Sequence, residues 1–158
     1  MTHQWSCFSS TDRVHWTEHP VPPKVSGSAW VKDDAWASQV IARNGKVYWC
    51  AAVEHGIVRG KAIGVVMADN PVGPFKDARI SALIINDMTE SKITWDDIDS
   101  TVIIDAKDQA CLFWSNTNCH YAKLKVNMTE FDGLIMTVAR LPKFTEAPWV
   151  HQHNGRYS

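Results

Sequence analysis

The chain of 158 residues suits one domain and can bury a substantial core. At 45% hydrophobic and 21% charged, with a formal net charge of -1, it falls outside the compositions of disordered chains and of basic nucleic-acid-binding domains. No apolar run reaches transmembrane length, so neither a nucleic acid nor a membrane is expected as a partner.

The opening MTHQWSCFSS lacks the basic and apolar regions of a signal peptide. Cys7, Cys50, Cys111 and Cys119 have no metal-ligand or redox spacing. Free thiols in a reducing, cytoplasmic compartment are the expectation. WSCFSSTDRVHWTEHP (5–20) reads as strand-like segments. QVIARNGKVYWCAAV (39–53) reads as strand, Asn44-Gly45 turn, strand. KAIGVVMADNPVGPF (61–75) is an apolar strand followed by a turn rich in Pro and Gly. STVIIDAKDQACLFWSN (100–116) is a second hairpin with Asp105 to Asp108 as its turn, and HYAKLKVNMTEFDG (120–133) adds another strand and turn. APWVHQHNGRYS (147–158) opens the hairpin pattern a third time, around Asn154-Gly155. Asn44 and Asn154 are 110 residues apart with one hairpin between them, which gives a unit of about 55 residues, the period of a four-stranded propeller blade. β-Branched and aromatic residues dominate, and no amphipathic helix is evident.

Ahead of the three hairpins the sequence reads AWASQV, DIDSTV and TEAPWV, so Ala37, Asp99 and Glu146 stand at about the same place. In a propeller the first strand of each blade is innermost and starts at one mouth of the central channel. Asp99 and Glu146 would then face a shared space, and two carboxylates converging on a pocket are what glycoside hydrolysis requires. The eight tryptophans fit sugar binding, because aromatic faces stack on the apolar faces of sugar rings.

CFSSTDRVHWTEH, DAWASQVIARNGKVYW, VEHGIVRGKAIGVVMADNPVGPFKDA, DDIDSTVIIDAKDQACLFW and FTEAPWVHQHNGRY together resemble glycoside hydrolase family 43. The likeness is greatest to its arabinofuranosidase and arabinoxylan-debranching members. It implies an all-β chain forming part of a five-bladed β-propeller. The expected single domain, 1–158, divides into the outer part of a first blade (1–30), a second blade (31–92), a third (93–140) and the start of a fourth (141–158). It also implies inverting chemistry on arabinofuranosyl or xylosyl linkages of arabinoxylan or arabinan, with Glu146 as general acid and Asp99 as the aspartate that orients it and tunes its pKa. No residue here matches the family's aspartate base, and Asp99-Ser100 stands where the family commonly has Asp-Pro. A non-catalytic carbohydrate-binding or remnant fragment is therefore the alternative. No cofactor is expected. The family's structural ion in the channel is a possibility, but the histidine that helps hold it has no match here.

Asp34 is a candidate for sugar hydroxyls or an ordinary turn residue, and His55 for the pocket mouth or a structural role. Trp36 and Trp149 are expected to pack in the core, with sugar stacking as the alternative. Asp96 and Asp97 read as part of a solvated acidic turn. His151 and His153 share a strand face, but no third metal ligand is apparent, so no metal site is expected. A partial propeller exposes apolar blade faces, which a second copy of the chain would cover, so a homodimer is expected.

Overall fold

The computed structural model describes residues 4–20, 28–90 and 93–158. Its architecture is all-β, and the only helix among the described residues is a single 3-10 turn at Asn86–Met88. Strands β1 (Cys7–Ser9) and β2 (Thr17–His19) form a small antiparallel hairpin. In its loop the Asp12 carboxylate accepts the backbone N–H groups of Val14 and His15 at 2.9 and 2.8 Å.

The first large sheet is built on β5 (Lys46–His55) and β6 (Lys61–Ala68), paired from Val47↔Ala68 to Glu54↔Lys61. Two short strands share the far edge of β5. Strand β3 (Val31–Asp33) lies beside its C-terminal end, and β4 (Ser38–Arg43) pairs along the rest. Strands β7 (Lys76–Asp77) and β8 (Ile84–Ile85) share the outer edge of β6. The β4–β5 turn has φ of 51° at Asn44 and 72° at Gly45. Both residues tolerate these left-handed values, as a tight two-residue hairpin demands. The second sheet is a regular antiparallel meander of β9 (Thr101–Ile104), β10 (Ala110–Trp114), β11 (His120–Leu124) and β12 (Met136–Thr137). Strands β13 (Gln152–His153) and β14 (Arg156–Tyr157) close the chain as a hairpin around Asn154-Gly155.

The burial patterns reflect this stacking. β5 is buried at every position from Val47 to Val53, so both of its faces are covered. Tyr48, Cys50 and Ala52 pack with Leu112, Trp114 and Leu124 of the second sheet. Val47, Trp49 and Ala51 face the other way, against Phe75 and Trp5. β10 alternates buried and half-buried residues, which marks one packed face. Gly64 lets the Trp30 indole pack closely against β6, since an added Cβ would stand 2.7 Å from the ring. All four cysteines are free.

The two sheets meet along β4 and β9. The Gln39 amide imitates a neighbouring strand: its Oε1 accepts Val102 N–H, and its Nε2 donates to Val102 O at 3.4 Å. Further along, the buried Arg43 guanidinium donates to the Asp108 carboxylate at 2.7 Å. Since Gln39 meets Val102 and Arg43 meets Asp108, β4 and β9 run the same way. Their starts, Ala37 and Asp99, therefore emerge at the same end of the molecule.

Leu112 is fully buried between the sheets, whereas Val40 is about half exposed on β4. Leu112→Ala should cost about 2–5 kcal/mol in urea unfolding, and Val40→Ala about 0.5 kcal/mol or less. Equal small losses would contradict the packing described.

Candidate active site

Three chain segments meet at the start of β9. The first is the loop Asp96–Asp99. The second is Trp114–Thr117, the end of β10 together with the three residues beyond it. The third is Thr145–Ala147. Ser115 N–H donates to Ile98 O at 2.9 Å and Asn116 N–H to Asp96 O at 3.2 Å, which fixes the first segment to the second. The backbones of Asn116 and Glu146 form an isolated antiparallel bridge, and Thr117 N–H donates to Thr145 O at 2.6 Å, which fixes the second to the third. The Ala147 N–H is turned towards the Asp99 carboxylate and completes the circuit.

Asp99 and Glu146, expected to share a space, are brought together by this circuit. Asp99 is half-buried and adopts φ of 57°. Burial pushes its carboxyl pKa up, the Glu146 charge pushes it further, and the Ala147 N–H partly opposes both. Glu146 is exposed, and its Oε2 accepts a hydrogen bond from Asn116 Nδ2 at 2.7 Å. Beside the bridge opens a cavity of about 480 Å³ whose lining includes Thr117, Arg140, Leu141 and Phe144.

Asp96 and Asp97 are not a solvated turn, for both are 0% exposed. Side-chain bonds that sequence spacing does not reveal draw them inward. Ser115 Oγ donates to Asp96 Oδ1 at 2.8 Å, and the Trp114 indole N–H donates to Asp97 Oδ1 at 3.0 Å. His120 Nε2 lies 3.5 Å from Asp96 Oδ2, beneath the same loop. Burial pushes the Asp97 pKa up to about 7; the Asp96 charge adds to that rise, while the Trp114 N–H and the charge on His120 oppose it.

A second polar cluster surrounds Asp34. This residue is buried, takes φ of 77°, and its carboxylate is ion-paired with the buried Lys61 ammonium. Burial alone would raise its pKa, but the hydrogen bonds from Lys61 and the Trp36 indole, together with the Lys61 charge, outweigh that and hold it low. Lys61 Nζ sits 4.3 Å above the Trp36 ring centroid, a cation–π arrangement. A cavity of about 260 Å³ opens here, lined by Trp36, Glu54, Arg59, Lys61, Thr94 and Trp95. Trp36, expected in the core, is instead 38% exposed, because it borders this cavity and lies over the ion pair. His55 takes the structural role: its Nδ1 accepts the N–H groups of Ile57 and Val58 at 3.0 Å each, and its ring packs on Trp30. Trp149, expected in the core, is 68% exposed, because the short segment carrying it is covered by no strand among the described residues. His151 and His153 are exposed, and no group of three or more metal-ligating side chains stands together among the described residues.

Sequence reasoning missed Lys61, Trp95, Asn116 and His120. A lysine opening an apolar strand and an asparagine following one both read as solvated strand ends, and only the pairing of distant segments gives them partners.

An all-β chain in which two carboxylates from separate segments converge has the kind of arrangement used in glycoside hydrolysis. The family model for glycosyl hydrolases family 43 matches residues 1–157, and the chain belongs to that family. It is 27% identical to an arabinoxylan arabinofuranohydrolase of Paenibacillus polymyxa, over 95% of this chain and 27% of that protein. A shorter match, 39% identical, covers 37% of this chain and 18% of a xylosidase/arabinosidase of Humicola insolens. Among solved structures, an alpha-L-arabinofuranosidase of Clostridium thermocellum superposes with a TM-score of 0.76 at 28% identity, over 96% of this chain and 50% of that one. A beta-xylosidase/alpha-arabinofuranosidase from a compost metagenome shares the fold at 18% identity, with a TM-score of 0.80, over 98% of this chain and 57% of that one. The chain thus spans about a quarter or less of these curated relatives and about half of these solved structures.

The buried Asp97 yields a pH prediction. Its folded-state pKa, about 7, lies above the unfolded value of about 4. Its contribution to stability is therefore complete below about pH 4 and is lost as pH rises through about 7. Asn cannot ionise yet keeps an acceptor for the Trp114 N–H. Asp97→Asn should gain stability relative to wild type between pH 5 and pH 8 in urea unfolding. A difference that does not change with pH would rule out the buried titration.

Proposed function

We propose that this chain serves hydrolysis of arabinofuranosyl or xylosyl linkages in arabinoxylan- or arabinan-type polysaccharides, with Glu146 as proton donor and Asp99 as the carboxylate that orients and tunes it. The observation that carries this reading is the convergence of the two segments: the strand end Ser115–Thr117 bonds both to the loop of Asp99 and to the backbone around Glu146, so the Glu146 charge acts on Asp99. Membership of the family and the names of the relatives support the substrate class. The two antiparallel sheets, one of six strands and one of four, joined along β4 and β9, suit two adjacent blades of a five-bladed propeller. A second copy of the chain is proposed to cover exposed apolar side chains such as Leu134 and Trp149.

In the proposed inverting reaction Glu146 gives its proton to the leaving oxygen as the glycosidic C–O bond breaks. Water adds to the anomeric carbon from the opposite face and releases its proton. Among the 158 residues no counterpart of the family's base is found to receive that proton. Water attacking unaided is slower by about 10²- to 10⁴-fold. The cavity lined by Trp36, Trp95, Lys61 and Glu54 supports sugar binding nearby: indole rings would meet ring C–H groups and the charged groups would meet hydroxyls.

Glu146→Gln should lower turnover of unactivated arabinosides roughly 10²-fold or more while sparing aryl arabinosides with good leaving groups. Azide or formate, as small stand-ins for a missing carboxylate, should accelerate the wild-type chain. Equal rates for wild type and Glu146→Gln on unactivated linkages would favour the non-catalytic carbohydrate-binding reading.

A further inference from the structure

We propose that Asn116 is a positioning residue that decides which oxygen of Glu146 carries the transferable proton: its amide holds Oε2 as an acceptor and leaves Oε1 to bear the hydrogen. The inference rests on the reading of Glu146 as proton donor.

Asn116 Nδ2 donates to Glu146 Oε2 at 2.7 Å. The amide is not free to wander. Its backbone pairs with that of Glu146, and its own N–H is bound to Asp96 O. The preceding residue, Ser115, is fully buried and bonded to Asp96 Oδ1. Asn116 therefore extends from the best-packed part of the second sheet to the most exposed carboxylate of the site. The opposite amide orientation would set Oδ1 against a carboxylate oxygen, two acceptors with no hydrogen between them.

In a neutral carboxyl group the carbonyl oxygen is the better acceptor and the hydroxyl is the donor. The oxygen facing the amide N–H is therefore the carbonyl, and the hydroxyl is Oε1. No hydrogen bond to Oε1 is made among the described residues. The titratable group facing Glu146 is Asp99, from the loop before β9, whereas the group facing it from the β10 side is the neutral Asn116 amide. During reaction the proton leaves Oε1 for the glycosidic oxygen as the C–O bond breaks and its electron pair stays on that oxygen. The charge left on Glu146 spreads over both carboxylate oxygens, and the amide N–H stabilises the share on Oε2. Asn116 thus aims the proton before transfer and steadies the carboxylate after it.

Asn116→Leu removes the donor at similar volume, and Asn116→Ala serves if the leucine variant folds poorly. Each should lose roughly 10- to 100-fold in kcat/KM on unactivated arabinosides, with little change on aryl arabinosides with good leaving groups. A purely structural role would depress both substrates alike, and that result would overturn the proposal. That result leaves the reading of Glu146 as proton donor in place. Undiminished turnover of unactivated linkages by Glu146→Gln overturns the catalytic reading of the site, and this proposal with it, so the two failures are told apart.

Discussion

The segment Trp114–Asn116 is the piece on which the site depends. Trp114 is anchored in the core between the two sheets, Ser115 is bonded to the loop that carries Asp99, and Asn116 is bridged to Glu146. Three consecutive residues thus join core, loop and proton-donor candidate. Neither carboxylate lies in the middle of a strand, so each owes its place to this segment. A strand end makes such a joint because its backbone groups, no longer spent on the ladder, are free to bond segments distant in sequence.

The joint is costly. Two aspartates and a histidine lie beneath the loop with almost no water, and burial of charge is unfavourable unless it is paired or neutralised. Asp96 answers that demand with three partners: Ser115, Thr89 and His120. Asp97 answers it less fully. It has the Trp114 N–H, while its Oδ2 has no hydrogen-bond partner, and holding a proton is the remaining way to avoid a buried charge. The Lys61–Asp34 pair solves the same problem differently, with opposite charges in contact and an indole above the ammonium. Both solutions sit next to a proposed sugar-contacting feature, where rigid polar groups cost less than mobile ones to keep in position.

What was legible in the sequence is what local chemistry decides. Asn44-Gly45 and Asn154-Gly155 marked hairpins because both positions take left-handed φ values. The repeated hairpins predicted that Asp99 and Glu146 share a space, but only Asp99 stands just ahead of a strand, whereas Glu146 is held in an isolated bridge. What was not legible depends on partners far away in the chain. Asp96 and Asp97 look solvated until Ser115 and Trp114 fold over them, and Asn116 carries no signal until Glu146 arrives from thirty residues on. Trp149 failed the other way: an apolar side chain in a strand-like run reads as core, yet the ordered strand begins only at Gln152.

The two carboxylates of the site occupy unequal surroundings, and that inequality bears on which of them gives up a proton. Asp99 is half-buried, and burial and the Glu146 charge both raise its pKa. Glu146 is exposed, so it is the member whose surroundings a bound sugar changes most. A ring seated over it would displace water, and loss of water favours the neutral form of a carboxyl group. Asp99, already shielded, would change less. On the proposed reading, binding of the sugar would thereby prepare Glu146 as the acid, with the Asn116 amide proposed to set the oxygen from which its proton leaves.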